Sequence, residues 1–188
     1  MRWIWLDKIV ELKKAERMVA IKNVTAAEDV LHDHFAPAPG KGNSTNGFNG
    51  GPTGAGPDAV HRAYPVMPNS LIIEGFAQTA GILVGHANDF KEKVILAKIG
   101  KAQFTGVNAG PGMTIRHTAS ILQFDERGAS TQGSVDLIDP LTGDTRQLAS
   151  IEMMFSHIDQ NMTGLAFPAE HCVFTVQFMD LLARSGVS

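Results

Sequence analysis

Glu74 stands in the middle of YPVMPNSLIIEGFAQTAGILVG, residues 64–85, a run so apolar that an ionisable side chain there needs a reason. A carboxylate on a helix that is apolar nearly all round costs several kcal/mol unless it is paired, protonated or placed at a cavity. At helical spacing Glu74 shares one narrow stripe of polar or small residues with Gln78, Gly81 and Gly85. A wet edge or a lysine partner is the plainer arrangement for an average glutamate. Here the apolar surround argues for a carboxyl kept dry enough to deliver a proton, which is what a general acid does.

Histidines supply the second chemistry. In HDHF, His32 and His34 lie two apart, so an extended backbone would put both on one face. That spacing suits a metal, but no third ligand follows at a persuasive interval, so a zinc site is not expected. His61, His86, His117, His157 and His171 carry no motif of their own and read as surface or hydrogen-bonded histidines. PGKGNST has the look of a phosphate loop, yet Gly42 follows Lys41 where Ser or Thr is needed and no apolar strand leads in. The start of the Glu74 helix is more useful. Pro68 suits a first turn, Asn69 or Ser70 can satisfy early amides, and the N-H groups there face any carbonyl oxygen with a partial positive charge.

The elements that must position these residues follow from periodicity. KIVELKKAERMVAIKNVT reads as two strands joined by a charged turn. Residues 36–63 hold seven of the nineteen glycines and four of the nine prolines, the composition of a long insertion. A buried helix then runs from Pro68 to about His86. Four extended segments come next, VILAKIGKAQF, MTIRHTASILQF, ASTQGSVDLID and RQLASIEMMFSHI, separated by NAGPG, DERG and PLTGD turns. The tail from Gln160 ends in a short amphipathic helix near Thr175–Ala183, with Val176, Met179, Leu181 and Leu182 as packing residues.

Composition bounds the rest. With 188 residues, 44% apolar, the chain suits one domain with a substantial core. A formal charge of -3 and scattered Lys and Arg exclude a nucleic-acid binder. The single cysteine, Cys172, can form no intrachain disulfide, and the first residues read as neither a signal peptide nor a spanning helix; a cytoplasmic protein is expected.

Five segments, LDKIVEL, RMVAIKNVT, HDHF, PVMPNSLIIEGFAQTAGIL and KIGKAQF, occur in the order found in one family. On them the chain resembles the 3-hydroxyacyl-(acyl carrier protein) dehydratases of bacterial fatty-acid synthesis, the most specific block being Pro65-x-Met67-Pro68, Leu71-Ile72-Ile73-Glu74 and Ala77-Gln78. The resemblance implies an α+β hot-dog fold, an antiparallel sheet wrapped around a long central helix, dimeric, with residues 1–188 as one domain, 36–63 as an insertion and 160–188 as a C-terminal extension. It implies dehydration of (3R)-3-hydroxyacyl thioesters to trans-2-enoyl thioesters without metal or organic cofactor. His34 would be the base and Glu74 the acid, each site combining the histidine of one subunit with the carboxylate of the other. Pro68, Asn69, Ser70 and Gln78 would contact substrate. Because the insertion parts His34-Phe35 from Pro65, His61 is the alternative base. Expected partners are acyl carrier protein, for which Lys91, Lys93, Lys98 and Lys101 are a candidate basic patch, and a second copy of the chain, alone or in an oligomer of dimers; neither nucleic acid nor a membrane span is expected. A hot-dog thioesterase and a non-catalytic acyl-binding or scaffold subunit are the competing readings.

Overall fold

A computed structural model describes residues 3–34, 65–158 and 176–186. The insertion, with His61, lies outside the described residues, as do Cys172 and His171.

The first strands, β1 (Lys8–Lys13) and β2 (Arg17–Asn23), form an antiparallel hairpin whose turn places Ala15 at φ 58°. The long helix α1 (Asn69–Ala87) follows Pro68, whose φ of -59° leads the chain into helical geometry. Then come β3 (Lys93–Phe104), β4 (Thr114–Asp125), β5 (Gly128–Ile138) and β6 (Thr145–Ile158), which are the four extended segments expected from alternation, and α2 (Val176–Ser185). All strand pairs are antiparallel, in the order β1-β2-β4-β5-β6-β3. Thus β3 pairs with β6 at one end of the sheet rather than with its neighbour in sequence.

Period-2 alternation decides which face is buried. In β4 the inward residues are Ile115, His117 and Ala119, and in β6 they are Ile151, Met153 and Phe155. Against this face lies α1, burying Ile72, Phe76, Ala80 and Leu83. Each fully buried Ile, Phe or Leu side chain contributes roughly 1.5–3 kcal/mol, so helix and sheet stabilise each other far more than helix propensity does alone. One contact sets how close they come: a Cβ on Gly75 would lie 2.6 Å from His117 Nε2, so only glycine lets α1 approach β4 there.

The second helix packs against β1. Phe178, Leu181 and Leu182 pack on the core, and the Ile9 N-H of β1 donates to Ser185 Oγ at 3.1 Å. The Ser185 hydroxyl in turn donates to Leu181 O at 2.7 Å. The inward face is therefore 178, 181, 182 and 185, spaced i, i+3, i+4 and i+7. Met179, expected to pack, is 42% exposed because it sits 100° round from Phe178 on that helix.

Candidate active site

Glu74 lies in the second turn of α1 and is half-buried; it is not sealed in the core. Its Oε1 accepts a hydrogen bond at 2.8 Å from Nε2 of Gln78, one turn further on. The same amide holds the N-terminal segment: Gln78 Nε2 donates to Trp3 O at 2.9 Å, and Trp5 N-H donates to Gln78 Oε1 at 2.8 Å. Gln78 is thereby fixed by backbone groups on both its oxygen and its nitrogen, and it fixes the carboxylate. Beside this pair opens a cavity of about 150 Å³, lined among others by Glu74, Gln78, Gly81, Leu96, Phe155 and Phe178. The polar stripe expected on α1 faces this cavity as far as Gly81, while Gly85 is buried beyond it.

His34 is exposed and its ring is held from one side. Nδ1 lies 2.8 Å from Val66 O, and because a carbonyl only accepts, Nδ1 donates and Nε2 is the nitrogen left for other contacts. The bond is returned along the backbone, where Val66 N-H donates to His34 O at 3.0 Å. Val66 and the adjoining Met67 are buried, and Met67 N-H donates to Ala109 O at 2.7 Å. His34 is thus clasped to the residue that leads into Pro68 and α1, across the whole insertion. His34 does not line the cavity that holds Glu74, so one chain does not assemble both groups around that space.

Several expectations need correction. His32 ends a 3-10 turn (Asp29–Leu31) with φ -66° and ψ -30°, so His32 and His34 do not share a strand face. Asn69 and Ser70 make no capping bond; Pro68 is the N-cap residue, and the first amides of α1 have no side-chain cap, since proline offers no acceptor there. Lys98 and Lys101 pair across β6 with Met154 and Glu152, positions on the face turned away from α1, and Lys93 alternates with the buried Val94. They therefore lie on the other side of the sheet from the cavity, while Lys91 precedes β3 and sits 3.9 Å from Asp89.

Two histidines are less ordinary than their sequence suggests. His117 is 1% exposed, its Nδ1 has no hydrogen-bond partner, and burial pushes its imidazole down to about 3. His157 is buried with Nδ1 3.0 Å from Glu92 Oε2, close enough for an ion pair but off the line of a hydrogen bond. Burial and the nearby Lys14 charge lower His86. Sequence reasoning missed Phe178 in the cavity wall. Its i+3 and i+4 relation to Leu181 and Leu182 was the available signal.

Comparison with known proteins places this architecture. Among solved structures, the dehydratase heterocomplex ApeI:P of Xenorhabdus doucetiae matches with a TM-score of 0.54 at 15% identity, over 84% of this chain and 84% of that one. An acyl-CoA hydrolase mutant of Staphylococcus aureus in complex with coenzyme A matches with a TM-score of 0.54 at 10% identity, over 93% and 86%. At such identities the likeness defines the fold, a hot-dog. No family model matches the chain. In sequence it is 33% identical over 138 residues to the 3-hydroxyacyl-(acyl-carrier-protein) dehydratase FabZ of Koribacter versatilis, covering 72% of this chain and 71% of that protein. It is 29% identical over 136 residues to the same enzyme of Ruminiclostridium cellulolyticum, covering 71% and 78%. The chain belongs to the 3-hydroxyacyl-(acyl-carrier-protein) dehydratase family.

Proposed function

We propose that the chain eliminates water from (3R)-3-hydroxyacyl thioesters held on acyl carrier protein, in fatty-acid or related lipid synthesis, with His34 as base and Glu74 as acid. The observation that carries this reading is the hold on the His34 ring: Nδ1 lies 2.8 Å from Val66 O, immediately before the step into the helix that bears Glu74. Nε2 takes the proton from C2 of the substrate, and the C-H electron pair becomes the C2=C3 double bond. The C3-O bond breaks, and the Glu74 carboxyl gives its proton to the departing hydroxyl, which leaves as water. Solvent then returns the proton from imidazolium to carboxylate, so the cycle closes without an oxidant or reductant. Backbone N-H groups at the start of α1 oppose the charge that grows on the thioester oxygen. Gln78 acts as a positioning residue, holding the carboxylate at the cavity.

A homodimer belongs to the same reading. Among the described residues β3 is a terminal strand, exposed from residue 95 to 103, with Leu96 41% and Ile99 43% exposed. A long edge bearing apolar side chains is a template for another strand. A second copy paired there suits two catalytic groups that do not share a cavity within one chain. A cytoplasmic location rests on the one-cysteine composition.

The test is hydration of a short enoyl thioester and dehydration of its 3-hydroxy partner, followed by absorbance. His34→Ala and Glu74→Gln should each lower kcat by roughly 10²–10⁴, with folding unchanged. Full activity in His34→Ala would remove the assignment of the base. Release of free thiol by the unaltered protein, without double-bond chemistry, would replace dehydration by thioester hydrolysis.

A further inference from the structure

The wall that Phe178 gives to the Glu74 cavity comes from α2, which lies beyond the segments that carry the family resemblance. We propose that Phe178 sets the length of acyl chain the site accepts, by closing the apolar space that leads away from Glu74. This rests on the dehydratase reading of the same site.

Along α1 the cavity lining passes from polar Glu74 and Gln78 to Gly81 and Ile82. Glu74 and Gln78 supply its ionisable and amide groups, whereas Gly81, Leu96, Phe155 and Phe178 offer only hydrocarbon or bare backbone. A hydroxyacyl thioester has the same polarity: the reacting C2 and C3 need Glu74, and the tail beyond them needs a dry lining. Its size, about 150 Å³, sets the limit. An apolar cavity of that volume in another protein holds one benzene molecule, or roughly six carbons. A longer tail has to displace a wall or leave through the open side of the cavity.

Phe178 is the part of the wall that comes from α2, and it is held firmly. Ser185 ties α2 to the Ile9 amide at 3.1 Å, and Leu181 and Leu182, on the same helix face as Phe178, pack on the core. Phe155 on the facing side is a buried residue of β6 that also supports the sheet, so it cannot be trimmed without touching the core. Phe178 therefore limits the cavity from a helix outside the sheet and α1, where its side chain can be changed without altering a strand.

The experiment measures kcat/KM on thioesters of about four to about twelve carbons for the unaltered protein, Phe178→Ala, Phe178→Leu, Phe178→Trp and Met179→Ala, with circular dichroism and melting to check the fold. Each methylene newly admitted to the apolar space is worth roughly a fourfold gain. Phe178→Ala should raise the long-to-short ratio of kcat/KM by at least about tenfold while short substrates still turn over. Phe178→Leu should shift the ratio in the same direction by less, and Phe178→Trp should lower it. Met179→Ala, on the exposed side of α2, should leave it unchanged. Folded Phe178 variants with the unaltered ratio, or a uniform loss at every length in both the Ala and Leu variants, would overturn the proposal and leave Phe178 as a packing residue. Those outcomes leave the dehydratase reading standing. An unaltered protein inactive at every length would overturn that reading, and this inference with it.

Discussion

His117 is buried against the turn of α1 that carries Glu74. Its ring fills the gap that Gly75 leaves beside Glu74, and its burial keeps it neutral. The folded value of about 3 lies below the ordinary 6.5, so below pH 6.5 the unfolded chain takes up a proton that the folded chain refuses. Stability is unaffected by this group above that range and falls as pH drops through it, with a slope approaching about 1.4 kcal/mol per pH unit from the one imidazole. Denaturant unfolding between roughly pH 6.5 and 4.5 should therefore show a steeper decline for the unaltered protein than for His117→Gln, which has no proton to gain. Equal slopes would mean that His117 is protonated in the fold.

At the scale of elements, α1 and β4 are held together by shape at the Gly75 contact. Alanine at residue 75 gains about 1 kcal/mol of helix propensity, but its Cβ would meet His117 Nε2 at 2.6 Å and Trp5 O at 3.4 Å. The buried ring has little room to yield, and overpacking of this kind costs about 1–3 kcal/mol. Gly75→Ala should therefore be destabilised by about 1 kcal/mol net, read as a lower denaturant midpoint at unchanged slope. Adding His117→Ala should make the penalty of the alanine at residue 75 vanish, since the double variant removes the clash. If the penalty persists, the ring is not its cause.

For the whole molecule, the proposed pairing of His34 with Glu74 calls for a second copy of the chain, because His34 does not line the Glu74 cavity. If each site takes its base from one chain and its acid from the other, a mixed dimer of His34→Ala and Glu74→Gln contains one complete site. Subunit exchange between the two inactive variants should restore about a quarter of the unaltered turnover, because about half the dimers are mixed and each has one of its two sites intact. No recovery after verified exchange would place both groups in one subunit. A charge on the open edge, Leu96→Lys or Ile99→Lys, should shift the protein toward monomer in the same preparation.

Much of this was legible in the chain before folding. The strand spans, the long helix and the carboxylate at its cavity face followed from periodicity, because alternation and a 3.6-residue repeat fix which side of an element is apolar. Periodicity does not fix which apolar sides meet. That β3 joins β6, that Val66 reaches back to His34 across 32 positions, and that Phe178 comes to the same cavity as Glu74 are all decisions of tertiary packing. The same limit explains Met179 and the lysines of β3. Their residue types suited a packed face and a basic patch at the cavity, but the helix phase exposed Met179 and the strand register put the lysines on the sheet face opposite the cavity. Sequence determined the chemistry this chain carries and the faces that carry it, since both depend on residue type and local repeat. Only the tertiary structure decided the size and walls of the space beside Glu74, because a cavity is what remains when distant surfaces pack as closely as their side chains allow.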